Sequence, residues 1–363
     1  MKRDEVVDIS KGIGIMFVIL GHLVFFNSVP FRFIFAFHMP LFYVLMGMIF
    51  PYELTLKKYL HKAKRILLSF LLYLAVCAAI TFAFPPFRAL FSFDEEARHK
   101  LFYEFQPECF HAGSLWFLFN AFVVITLYFL LSKLVFLPKC ITPKTKQIIL
   151  TVVILVLGVV GVLLFNRTQN AFRIPLTSEA PDLPLKLDTA ICVLPFFYLG
   201  ILLNKSNFKY KLYDLKLGYQ LVGAVLAGAV VLVVSRRNQY VNVCNCFFGT
   251  PLHFYIASLS GVLMVVFVSS ALSRIRFAKV FAFYGRDSLL SFALHTFPNQ
   301  VYAIVLNKIL GQSYGYLYMP LHWALIGVPA VLLMLAPIIA VKNKGLKCLT
   351  NWKKARENNG KQE

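Results

Sequence analysis

Negative charge is scarce in this sequence. Its 363 residues include 16 Asp and Glu against 37 Lys and Arg, and the four types together make up only 15% of the chain. With 59% hydrophobic residues and a mean hydropathy of +0.71, so little charge cannot coat the surface of an ordinary soluble domain. Catalytic signatures are missing as well. There is no G-x-S-x-G nucleophile elbow, no glycine-rich phosphate loop and no two-histidine zinc helix, which leaves the familiar serine hydrolases, P-loop enzymes and zincins without a motif. The seven cysteines are scattered, Cys77 and Cys192 inside apolar runs and Cys109, Cys244 and Cys246 in loops. They define neither a disulfide framework nor a metal site. No small-residue cleavage site follows the first apolar run, so that run reads as a retained helix and not as a signal peptide.

What is present is a succession of apolar runs near the ~20 residues that a spanning helix needs. Ten candidates fall at about residues 9–26, 31–50, 66–84, 115–132, 148–165, 188–203, 217–235, 252–272, within 281–306 and within 320–341. The expectation is an all-α, polytopic transmembrane bundle of about ten helices. It forms a single membrane-embedded domain over residues 1–341, and the basic tail, 342–363, is expected to be partly disordered. The net charge of +21 does not gather on one face, which argues against nucleic acid as a partner. Most of the basic residues sit in alternate loops, and by the positive-inside rule this places both termini in the cytoplasm. An acidic-leaning loop (Asp94, Glu95, Glu96, Glu104, Glu108) separates the third and fourth helices. No internal repeat and no pair of broken helices is visible.

Ionisable groups inside apolar helices are expensive and mark functional sites by default. Lys11 and His22 are eleven residues apart, about 16 Å along a helix and roughly 20° from one face. Asp8 shares that stripe and can pair with Lys11, although Lys11 could equally snorkel to an interface. Antiparallel pairing of the first two helices brings His38 to the depth of His22. His295 lies at a similar depth in the ninth helix, with Ser288 and Ser291 on its face by i, i+3, i+7 spacing. Bonding to a neighbouring helix is the plain alternative for each histidine; convergence of all three points to general acid and base work. Lys62 and Arg65 suit a polyanionic phosphate, or simple charge bias. Trp116 fits an interfacial belt, and Asn120, one turn deeper, needs a partner. Gly12 and Gly14 suit close helix packing.

These residues lie in segments that resemble the integral-membrane acyltransferase family 3, which includes bacterial sugar O-acetyltransferases. The matching segments are DISKGIGIMFVILGH at 8–22, FHMPLFYVLMG at 37–47, KAKRILLSFLLY at 62–73, SLWFL at 114–118, LPFFYLG at 194–200 and YGRDSLLSFALH at 284–295. The likeness is greatest to the compact, fucose 4-O-acetylase-like branch, without an appended esterase-like domain. The resemblance implies acyl transfer from cytoplasmic acyl-CoA, acetyl-CoA above all, to a hydroxyl of a cell-envelope or exopolysaccharide sugar in a bacterial inner membrane. It assigns acyl-CoA binding to Lys11, Lys62 and Arg65, and catalysis to His22 as base with His38 and His295. Asp8, Trp116, Asn120, Ser288 and Ser291 are supporting residues. Acyl-CoA is a co-substrate; no resident cofactor or metal is implied, and polysaccharide-assembly proteins are expected partners. A transporter or flippase with a histidine proton relay is the competing class, and an inactive scaffold a third.

Overall fold

The computed structural model describes residues 4–84, 87, 115–136, 141–168, 183–311, 314 and 319–359, with side chains as far as residue 345. The acidic loop expected before the fourth helix, Cys109 with it, lies almost entirely outside the described residues. Helices form where the apolar runs predict, and short polar residues start several of them. Asp4 accepts from the Val7 N–H to cap α1 (Glu5–Gly21), Thr55 caps α4 (Leu56–Ala83), and Thr142 with Pro143 opens α6 (Pro143–Phe165). Between them lie α2 (Val29–Phe35), α3 (His38–Gly47) and α5 (Leu115–Phe136). The second half comprises α7 (Leu187–Lys205), α8 (Phe208–Tyr213), α9 (Leu217–Arg237) and α10 (Pro251–Leu272). It continues through α11 (Ala278–Arg286), α12 (Ser288–Leu294) and α13 (Thr296–Leu310) to α14 (Leu321–Asn359). Among the described residues, two isolated bridges are the only strand-like pairings.

The protein is a polytopic helical bundle, with differences from the expected ten spans. Among the described residues, eight segments are long and apolar enough to cross a membrane, and the bent pair α12–α13 makes a ninth if it is one span. The first helix stops at Gly21 after 17 residues, about 26 Å at 1.5 Å per residue, a little short of the ~30 Å hydrocarbon core. The second run is broken between α2 and α3, and the ninth into α11, α12 and α13, with a 48° bend at His295. The expectation of no broken helices is therefore corrected: apolar side chains run straight through both breaks, so hydropathy is blind to them. The last helix, α14, runs on from the expected tenth span into the basic tail as far as Asn359.

Burial sorts the helices. Only 17% of the apolar window of α9 and 22% of that of α4 is buried, against 67% for α5, for α7 with the turn before it, and for α2–α3. The sparsely buried helices carry rows of exposed Leu and Val and belong against lipid; α1, α3, α5 and α7 form the interior. α1 packs along α11, α3 along α7, and α9 along α10. The α1–α11 contact is made by backbone. A Cβ on Gly12 would strike the Phe281 carbonyl, and one on Gly285 the Asp8 carbonyl, as in small-residue helix crossings. The far end of α1 is tied to the start of α14, where Phe25 N–H donates to Met319 O (3.1 Å) and Met319 N–H to Leu23 O (3.0 Å). α1 thus joins two polar regions, one around Lys11 and one around His22.

Candidate functional site

All three predicted histidines stand where a helix ends or breaks. His22 is the C-terminal cap of α1. His38 opens α3 directly after Phe37, whose φ of −140° leaves the helical region. Pro40 explains that break: it has no N–H for the Ala36 carbonyl four residues back. The freed carbonyl instead accepts from the Ser258 hydroxyl of α10 at 2.7 Å, and the Phe37 ring lies over Gly261 of the same helix. His295 marks the bend between α12 and α13, three residues before Pro298.

The breaks also orient the rings. His38 Nδ1 lies 3.0 Å from the Ile34 carbonyl and His295 Nδ1 lies 2.8 Å from the Phe292 carbonyl. A carbonyl oxygen only accepts, so each Nδ1 carries the hydrogen, and in its neutral form each ring presents Nε2 as a lone pair. The His22 and His295 rings meet with centroids 5.1 Å apart, and His38 is within electrostatic range of both. Phe35 lies edge-on to His22 (6.0 Å) and to His38 (4.7 Å), closing the fourth side. His295 is fully buried and His38 nearly so, whereas His22 is half-buried as a residue with its ring Nδ1 buried. Ser291, one turn before His295, is buried, and its hydroxyl has no partner among the described residues; Ser288 stands at the start of α12. Among the described residues, no group of three His, Cys, Asp or Glu has a geometry that could hold a metal.

Aromatic contacts lead from the histidines to α5. Phe292 of α12 meets Phe42 at 5.8 Å and Phe117 at 5.1 Å, and Phe117 meets Tyr43 at 5.1 Å. Tyr43 donates to Asn120 Oδ1 at 2.6 Å, and the Asn120 amide donates to the Lys186 carbonyl at 2.9 Å. Asn120 thereby finds the partner that its burial demanded. It holds the turn before α7, in which Leu185 and Lys186 both adopt left-handed φ (63° and 52°) at about 1–2 kcal/mol each. Trp116 is half-buried, 6.2 Å from the Phe117 ring.

The other end of α1 is ionic. Asp8 is buried and meets Arg286 Nε at 3.7 Å; Lys11 is half-buried one turn further on. Asp287, at the α11–α12 break, accepts from Lys342 (2.7 Å) and Asn343 (2.9 Å) of α14. Buried Lys209 pairs with Asp4 at 3.0 Å. Beside that pair, burial and then the Asp4 charge hold the Tyr213 phenol well above its usual range, so it stays neutral. Lys62 and Arg65 do not join this group. The Lys62 ammonium lies 4.2 Å above the Phe50 ring, and Arg65 is exposed on α4.

Several residues carried no role in the sequence. Arg286 and Lys342 were indistinguishable from topological charge, and only the fold pairs them with Asp8 and Asp287. Phe35, Tyr43, Thr296 and Asn299 are in apolar runs with no charge to betray them. The available signal was proline: F-H-M-P at 37–40 and H-T-F-P at 295–298 place a helix breaker two or three residues after each histidine.

Compared with known proteins, residues 4–340 match the acyltransferase family 3 model, described as an acyltransferase domain. No curated protein and no solved structure matches the chain.

Proposed function

The chain belongs to this membrane acyltransferase family, and on that premise we propose that it moves an acetyl group from cytoplasmic acyl-CoA to a hydroxyl of a cell-envelope or exopolysaccharide sugar. The proposal places it in a bacterial cytoplasmic membrane with the Lys11 end of α1 inside. The convergence of the three imidazoles at helix ends and breaks, with His22 the least buried residue of the three, is the observation that carries this reading.

His22 is the base. It takes the proton of the acceptor hydroxyl as the oxygen attacks the thioester carbonyl. The carbon–sulfur bond breaks, and the coenzyme thiolate leaves with a proton returned from His22, so the products are an ester and free thiol. Positive charge on His22 develops at the carbonyl end of α1, where the helix dipole favours it by about 0.3–1 kcal/mol. His38 and His295, each anchored through Nδ1–H, present Nε2 and position the base and acceptor. Lys11, Lys62 and Arg65 attract the donor's phosphates. Lysine at the first two positions supplies point charge without the planar fork of arginine. The test is His22→Ala. We expect transfer from labelled acetyl-CoA to fall by about 10²–10⁴-fold in protein that inserts and melts normally; wild-type transfer by that variant would end the proposal.

The broken helices at His38 and His295 favour one second reading, a carrier of an envelope glycan intermediate, since transporters build sites from interrupted spans. Purified protein given acetyl-CoA separates the two: a carrier releases no free coenzyme A.

A further inference from the structure

Asn299 has no place in the mechanism above. It is fully buried on α13, and among the described residues neither its amide nitrogen nor its amide oxygen has a hydrogen-bond partner. Buried amides are almost always bonded, because desolvating both atoms without compensation is costly. Thr296, equally buried, also lacks a partner for its hydroxyl among the described residues. The acceptor that a helical threonine ordinarily uses is the carbonyl four residues back. Here that carbonyl, Phe292 O, receives the His295 ring.

Helical geometry locates the amide. Asn299 follows His295 by four residues, about 6 Å along the axis and roughly 40° around it, on the side away from the Lys11 end. Tyr302, seven residues past His295, returns to the same face. Its ring and Leu23, the residue after His22, both abut Gly327 of α14. The stripe His295–Asn299–Tyr302 therefore faces the end of α1, where His22 stands against His295. Phe297 points roughly the opposite way and meets Phe87.

We infer that Asn299, with Thr296 beside it, is the acceptor subsite and binds hydroxyls of the sugar adjacent to the one that reacts. This rests on the acyl-transfer reading. The amide offers one acceptor and two donor hydrogens, which complements a hydroxyl pair that both gives and takes hydrogen bonds. Its position also excludes the donor phosphates, which are drawn to the basic end of α1, on the other side of the histidines.

The experiment compares Asn299→Leu, Thr296→Val and His22→Ala in cells deleted for the gene. It measures alkali-labile acetate on the total envelope and secreted glycan, so the acceptor need not be known. We expect Asn299→Leu to lower that acetate at least tenfold and Thr296→Val severalfold. The purified Asn299→Leu protein should melt at or above the wild-type temperature, since it loses an unbonded buried amide. It should also release coenzyme A from acetyl-CoA without acceptor at the wild-type rate, which a merely structural role would not leave untouched. Should Asn299→Leu fail to accumulate, Asn299→Ala takes its place. Wild-type acetate in the Asn299 variant, with loss in His22→Ala, overturns the subsite alone. No acetate difference between wild-type and deleted cells overturns the acyl-transfer reading and the subsite with it.

Discussion

The two ends of α1 solve the problem of polar groups in an apolar bundle in different ways. Around Lys11, charges of opposite sign meet: Asp8 with Arg286, Asp287 with Lys342, Asp4 with Lys209. Around His22, imidazoles and an aromatic ring gather instead: His22 meets His295, and Phe35 meets both His22 and His38. The rings of His38 and His295 are held by backbone carbonyls at broken helices. Ion pairs fix a surface that can exchange partners with an incoming anion. Carbonyl-anchored imidazoles fix a tautomer and leave one nitrogen to present. The first arrangement suits capture of a charged donor, the second proton transfer.

Substitutions that separate the ends test this contrast. The largest effect expected is that of His22→Ala, which should remove transfer while leaving donor binding intact, measured by acetyl-CoA titration of the purified variant. Gly285→Ala comes next and should injure both ends together. Its Cβ meets the Asp8 carbonyl, backbone that cannot rotate away, so α1 and α11 must part. Overpacking of this kind costs about 1–3 kcal/mol or more; a lowered melting temperature in detergent and loss of both donor binding and transfer are the expected results. The double variant Lys62→Gln, Arg65→Gln should act on the donor alone, raising KM for acetyl-CoA about tenfold, or ~1.4 kcal/mol, with kcat unchanged. The wild-type KM should rise with salt and the variant's less so. The smallest effect belongs to Ser258→Ala. It strips the Ala36 carbonyl of its hydroxyl partner for about 1 kcal/mol. Transfer should fall more than donor binding, because only the His38 break is loosened.

Much of the Lys11 end was legible. α1 runs unbroken from Glu5 to Gly21, so residue spacing translated directly into a stripe from Asp8 through Lys11 to His22. Gly12 as a packing glycine followed from the same regularity. The sequence did not show that Arg286 meets Asp8, since that pairing depends on α11 lying against α1. At the His22 end, the histidines could be named and their depths matched. Their convergence required the first, second and ninth runs to be neighbours, and no local pattern says so.

Composition and periodicity were sufficient for an all-helical membrane protein, because a bilayer leaves helices as the form in which an apolar segment satisfies its own backbone. Spacing was sufficient for the polar stripe on α1, because 3.6 residues per turn is a local property. The tertiary structure alone decided where the helices break, which carbonyls orient His38 and His295, and that the Asn299 amide is buried without a partner among the described residues. Each of these depends on what a neighbouring helix supplies: a serine hydroxyl for a carbonyl freed by proline, a glycine for a close approach, or no partner for an amide.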